Sequence, residues 1–293
     1  VSKQKIGVIG VGLMGHGIAK NILKGGWPVS FLDHPGNQPV DDLVAAGAAR
    51  FESATELAKA SDVIILCVTG SPQVEDILTG SGGVLSALGA GQIVIDCSTA
   101  IPSSTQRMAA QVAEAGAQFI DAAMTRTPKE AEEGRLNLLI GCDPDLYAKL
   151  EPLFESFSEN RFLAGPVGSG HTLKLLHNFC SIGMATLIGE AAACAATAGM
   201  DPVILVDCLK RGGGYGAALD RMGPYILDGD LSSMQFSNAN AHKDVGYYNR
   251  MAEDLGAKRN VAGGLLGALA WLIENGHADK YVPEQVHLFR NDT

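Results

Sequence analysis

Near its start the chain reads Ile6-Gly7-Val8-Ile9-Gly10-Val11-Gly12-Leu13-Met14-Gly15, an apolar run that breaks into glycines spaced G-x-G-x-x-G and continues as a helix-forming segment. Few folds accept this pattern. Gly10 permits a tight turn, Gly12 lets the backbone approach a bound group, and Gly15 lets the helix lie close on the strand. A helix starting there turns unpaired N–H groups and its positive dipole end toward the loop, a setting that suits a pyrophosphate.

The next β-rich run, residues 29–33, ends on Asp33, 18 residues past Gly15. An acid there suits the hydroxyls of an adenosine ribose and repels a 2′-phosphate. His34 rather than an arginine follows, so NAD is expected over NADP. A turn aspartate before Pro35 is the plainer alternative.

Further β-rich runs fall at residues 5–10, 63–68, 93–97, 118–121 and 136–141, several of them Val/Ile stretches with little alternation, as in parallel strands buried on both faces. Helical stretches lie between them. One opens at Ser53-Ala54-Thr55-Glu56, a capping box in form, and another at Pro102. The rhythm predicts an α/β domain with a doubly wound Rossmann-type sheet over residues 1–164. A turn-rich stretch, residues 164–170, ends it. Residues 165–293 then read as a long interdomain helix (residues 171–198) and an all-α C-terminal domain, with helices at 201–211, 217–227, 239–255 and 261–275.

Composition narrows the function. A net charge of −10 on 293 residues argues against nucleic acid, which needs clustered cations. Six cysteines stand singly without C-x-x-C spacing, so free buried thiols in a reducing compartment are expected, with no metal site and no disulfide framework. Apolar runs such as residues 63–68 are short of the roughly 20 residues a bilayer needs, and, with the first residues leading straight into a strand, no signal peptide is expected. A cytoplasmic protein without a membrane partner is expected.

Later segments sharpen the reading. Asp96-Cys97-Ser98-Thr99-Ala100-Ile101-Pro102 follows the run at 93–97. Gly168-Ser169-Gly170-His171-Thr172-Leu173-Lys174 leads to Asn178 on the long helix, and Lys243-Asp244 falls on a later one. With the glycine loop, these segments resemble the β-hydroxyacid dehydrogenase family over nearly the whole chain. The resemblance implies an NAD(H)-dependent oxidoreductase acting on a small anionic hydroxy acid or semialdehyde, assembled as a homodimer or homotetramer. Lys174 then matches the catalytic lysine and Asn178 a substrate-binding asparagine. Gly10, Gly12, Leu13, Met14, Gly15, Asp33, Val68, Thr69, Gln73, Thr99 and Lys243 match cofactor-contacting positions, with Thr69 standing where a proline is usual. Ser98 lies beside Thr99, toward the substrate.

The chemistry agrees. Lys174 and Asn178 are four residues apart and share a helix face. Hydride transfer from a hydroxyl-bearing carbon must release a proton, which a lysine can take and return. The plain alternatives are a solvated lysine at 174 and a surface pairing of Lys243 with Asp244. A dinucleotide-binding scaffold without chemistry, or an imine reductase, would be expected to lack Lys174.

One segment departs from the family pattern. After Asp121, D-A-P-V-S-G-G is common, its Ser-Gly-Gly cradling a substrate carboxylate. This chain has Thr125-Arg126-Thr127 instead. Arg126-Thr127 through Ala131 to Gly134 resembles the sulfolactaldehyde reductases of the same family, where the arginine is implied to bind a sulfonate. Arg126, Thr125, Thr127, Ser98 and Asn178 thereby become candidate substrate-binding residues, with 3-hydroxyisobutyrate or tartronate semialdehyde as alternative substrates. The competing reading pairs Arg126 with Glu130 or Glu132 on the surface. A second cluster, Arg211-Gly212-Gly213-Gly214-Tyr215, is either a wall over the site or a helix-ending loop.

Overall fold

The computed structural model describes residues 3–290. The chain divides into two compact units, Val1–Lys174 and Leu175–Thr293. The first is built on β1 (Ile6–Ile9), β2 (Val29–Leu32), β3 (Ala49–Phe51), β4 (Val63–Leu66), β5 (Ile93–Asp96), β6 (Gln118–Thr125), β7 (Leu136–Gly141) and β8 (Ser158–Gly165). These form one sheet in the order β3-β2-β1-β4-β5-β6-β7-β8. Pairing is parallel from β3 to β6; β7 runs antiparallel to β6, and β8 parallel to β7.

The helices of this unit are α1 (Gly15–Lys24), α2 (Asp41–Ala45), α3 (Ala54–Ala60), α4 (Ser71–Thr79), α5 (Pro102–Glu114), α6 (Pro128–Glu132), α7 (Pro144–Glu155) and the start of α8 (Ser169–Thr197). They create two cores. Val63 and Ile65 enter the same cluster as Ile6, Phe31, Ile18 and Phe154, while Ile64 and Leu66 face Leu57, Val94 and Val112 in the other. The unbroken Val-Ile-Ile-Leu of β4 is thus apolar because both its faces are covered.

Two strands carry no apolar signature. β3 is three residues long and only partly covered, and β8 reads Ser-Glu-Asn-Arg-Phe-Leu-Ala-Gly on the exposed edge of the sheet. β6 also runs past Asp121 to Thr125, because Asp121–Thr125 pairs with β7. As a result Arg126 follows the carboxyl end of a parallel strand.

In the second unit lie the rest of α8 and α9 (Pro202–Arg211), α10 (Ala217–Asp228), α11 (Asn238–Asp254), α12 (Asn260–Glu274) and α13 (Gln285–Leu288). Asp201 caps α9 by accepting the Val203 N–H, with Pro202 at the first turn. By length and composition α8 could cross a bilayer, unlike the shorter runs read from the sequence. Its Ile182, Ala185, Ile188 and Ala192 instead join Leu219, Met222, Val245 and Leu269 in a buried core. Cys67 is half-buried, Cys97 and Cys142 are buried, but Cys180, Cys194 and Cys208 are exposed, contrary to the expectation of buried thiols. These three sit on helices that are apolar around much of their circumference, so composition does not mark their faces.

Candidate functional site

In the first unit the motif residues gather at the carboxyl ends of the parallel strands, where open α/β sheets bind ligands. Gly10 stands at φ 97°, and a side chain there would meet the Cys67 carbonyl. A Cβ on Gly15 would come within 1.9 Å of the Gly10 carbonyl, so α1 must begin on a glycine. At Gly12 a Cβ would meet only the Gly36 carbonyl, at 3.8 Å. Met14 precedes α1 without a side-chain cap, and Leu13 is exposed at the loop tip. The loop therefore offers open room and uncapped N–H groups of a ten-residue helix, and these fit a dinucleotide pyrophosphate.

Asp33 follows β2, exposed, with Arg50 of β3 at 3.6 Å. Nothing in the sequence flagged Arg50, because β3 is too short to read as a strand. Val68 is half-buried after β4; Thr69, and Gln73 on α4, are exposed. The loops after β4 and β5 are laced together: Val68 N–H donates to Ser98 Oγ at 3.0 Å, and Ile101 N–H to Ser71 Oγ at 2.8 Å. Ser98 is buried and structurally engaged, whereas Thr99 beside it is half-exposed.

A buried polar cluster, unread in the sequence, anchors the start of α8. Asp121 is fully buried and accepts the N–H groups of Gly168 and His171, each at 2.7 Å. Burial holds its carboxyl above the ordinary range despite these donors and the neighbouring His171 ring. His171, also fully buried, joins Thr105 Oγ1 at 2.7 Å and the Ser98 carbonyl at 3.2 Å. A Cβ at Gly170 would reach the Leu139 carbonyl at 2.3 Å, which explains the glycine there. Lys174, half-buried, rides one turn beyond His171 on this anchored segment. The signal for the cluster was present in the acid closing an apolar run at Asp121.

The Thr125-Arg126-Thr127 segment has a specific geometry. Thr125 is buried, and its Oγ1 accepts from Asn137 Nδ2 at 3.0 Å. Thr127 opens α6, donating its N–H (3.0 Å) and hydroxyl (2.5 Å) to Glu130, which holds that carboxyl below its ordinary range. Arg126 lies between them at φ 84°, the one non-glycine residue at positive φ among the described residues. Its Nη1 donates to the Arg135 carbonyl and to Glu159 of β8, not to Glu130 or Glu132. Glu159 also accepts from Arg135 Nε at 3.0 Å.

In the second unit Asn178 is buried and donates Nδ2–H to Asp244 Oδ2 at 2.7 Å. Its Oδ1 lies 3.0 Å from His177 Nδ1. Lys243 Nζ is 3.1 Å from the other Asp244 oxygen, so Asp244 joins the two predicted site residues of this unit. Arg211 ends α9 and pairs with Asp207 one turn back, and Tyr215 is exposed in the loop that follows. The described residues hold no cluster of three His, Cys, Asp or Glu side chains arranged for a metal.

Comparison with known proteins agrees with this layout. The sequence profile of the NAD binding domain of 6-phosphogluconate dehydrogenase matches residues 5–165, and that described as NAD-binding of NADP-dependent 3-hydroxyisobutyrate dehydrogenase matches residues 168–288. The chain is 32% identical to 2-(hydroxymethyl)glutarate dehydrogenase of Eubacterium barkeri, over 94% of this chain and 89% of that protein. It is 33% identical to 2-hydroxy-3-oxopropionate reductase of Escherichia coli, over 71% of each. The fold matches the solved 3-hydroxyisobutyrate dehydrogenase of Mycobacterium tuberculosis with a TM-score of 0.87 at 23% identity, covering 98% of this chain and 99% of that one. With its glycine loop at the strand ends and a lysine on the anchored start of α8, the chain belongs to the β-hydroxyacid dehydrogenase family and is an NAD-dependent dehydrogenase acting on a hydroxyl group.

Proposed function

We propose that the enzyme interconverts a small anionic semialdehyde and its alcohol with NAD(H), and that its preferred substrate is 3-sulfolactaldehyde, the alcohol being 2,3-dihydroxypropane-1-sulfonate. Arg126 carries the substrate choice. An arginine holds a left-handed backbone where the family's common pattern has glycine, and conformations of this kind cluster at ligand-contacting segments. The two observed contacts engage only Nη1, whereas a guanidinium carries five donor hydrogens. A sulfonate, with charge over three oxygens, suits such a fork.

NAD(H), when bound, supplies or accepts the hydride. Lys174 gives a proton to the carbonyl oxygen in reduction and takes it from the hydroxyl in oxidation. Asn178 keeps one amide hydrogen on Asp244 and offers the second to the substrate. Asp33 directs the choice of NAD over NADP. Exposed Met184, Leu187, Val203, Ile204 and Val261 on the second unit support a homodimer or homotetramer, and the free thiols suit the reducing cytoplasm.

A carboxylate substrate, 3-hydroxyisobutyrate or tartronate semialdehyde, is the second reading. The pairing of Arg126 with Glu159 favours it, as do the names of the relatives. Comparing kcat/KM for sulfonated and carboxylated semialdehydes, in wild type and Arg126→Gly, separates the two. A preference for the sulfonate that vanishes in the variant supports the first; equal loss on both substrates removes it.

A further inference from the structure

The residue directly after Gly15 is a histidine with an unusual setting. His16 is 8% exposed in the first turn of α1, and its two ring nitrogens meet two carboxylates from different helices. Nδ1 lies 2.7 Å from Glu132 Oε1 of α6, and Nε2 lies 2.9 Å from Asp42 Oδ1 of α2. A neutral imidazole has one N–H, so it would turn a lone pair toward one of these oxygens. Only the imidazolium donates to both.

Each element this ring touches leads to part of the site. The His16 backbone N–H donates to the Gly12 carbonyl at 3.0 Å, so the residue is built into the dinucleotide loop. α2 follows the Asp33 loop, where Gln38 N–H donates to the Val11 carbonyl at 2.8 Å. α6 begins at Pro128, capped by Thr127, the residue that follows Arg126. One turn along α1, Asn21 Nδ2 also reaches the Ala131 and Glu132 carbonyls at 3.0 and 3.1 Å, so α1 and α6 are tied at two levels.

We propose that His16 is a positioning residue whose protonated ring clamps the dinucleotide loop to α2 and α6, so that affinity for NAD(H) depends on the charge of that ring. Nothing in the family pattern quoted above assigns this position a role. The charged groups facing the ring are Asp42 from α2, Glu132 from α6 and, on α1 itself, Lys20, whose Nζ holds the other Glu132 oxygen at 2.8 Å. The strands beneath α1, β1 and β2, contribute only apolar residues, Gly7 and Ser30. Burial opposes the charge on His16, but the hydrogen bonds to Glu132 and Asp42 outweigh it and raise the ring's pKa above 6.5. The clamp is therefore closed below neutrality and opens as the pH rises through the raised value.

The inference rests on the dinucleotide reading and not on the identity of the substrate. The test is the Kd of NADH, by fluorescence titration from about pH 6 to 9, for wild type, His16→Gln and Asp42→Asn. In wild type, Kd is expected to rise roughly threefold to tenfold across this range. In His16→Gln that step is absent. Asp42→Asn removes one anionic partner from a half-exposed position and is expected to move the midpoint to lower pH. It decides the matter if His16→Gln does not fold. A pH-independent Kd in wild type, an unaltered profile in His16→Gln, or an unmoved midpoint in Asp42→Asn overturns the clamp. NADH that binds at no pH overturns the dinucleotide reading with it.

Discussion

Replacing Arg126 with glycine separates architecture from recognition. The left-handed backbone costs an ordinary residue about 1–2 kcal/mol, which glycine does not pay. Against this, glycine gains freedom in the unfolded chain, taking back roughly 0.5–1 kcal/mol. The lost pairing with Glu159 counts for little, because that pair is partly exposed and screened by salt. Stability should therefore change by no more than about 1 kcal/mol, with a Tm shift of at most roughly 4 °C. Recognition should change much more. A charge-assisted hydrogen bond contributes about 1.5–3 kcal/mol, so kcat/KM for 3-sulfolactaldehyde should fall roughly tenfold to a hundredfold, and less for a carboxylate. Thermal unfolding and steady-state kinetics on one preparation read both. A destabilisation above roughly 2 kcal/mol with an unchanged sulfonate-to-carboxylate ratio would show that Arg126 serves the fold alone.

The remaining predictions concern single residues. Lys174→Ala should lower kcat by roughly 10²- to 10⁴-fold while NADH still binds, read by turnover and fluorescence titration. Asp33→Ser should admit NADPH, because Arg50 at 3.6 Å is then released to meet a 2′-phosphate; the ratio of kcat/KM for the two cofactors checks it. Ser98→Ala should destabilise by about 1–3 kcal/mol in urea, since the Val68 N–H loses its acceptor. The stability gap between wild type and His16→Gln should be full below about pH 6.5 and shrink as pH rises through the raised folded value. It should also shrink in acid, because Asp42 and Glu132, both lowered from 3.8 and 4.5, lose their charge there.

Much of this was legible in the sequence where one cause acts alone. The glycine turn before α1, the doubly buried runs such as β4, and the helix opening at Pro102 each follow from local chemistry. β3 and β8 were not legible, because edge strands need no apolar face; Arg50 was lost with β3 and Glu159 with β8. For the same reason the sequence points to Glu130 or Glu132 as the partner of Arg126, whereas Glu159 of the edge strand β8 takes that place. His16 is separated from its carboxylates by 26 and 116 residues, a distance no periodicity reports. The exposed cysteines escaped because α8 and α9 show apolar residues on faces the single chain leaves uncovered.

NADH oxidation by the wild-type protein, followed with 3-sulfolactaldehyde and tartronate semialdehyde in parallel, is the most direct test of both the hydride chemistry and the substrate choice. Turnover of both with NADH, and a higher kcat/KM for the sulfonate, is the predicted result. Failure to oxidise NADH with either aldehyde would contradict it.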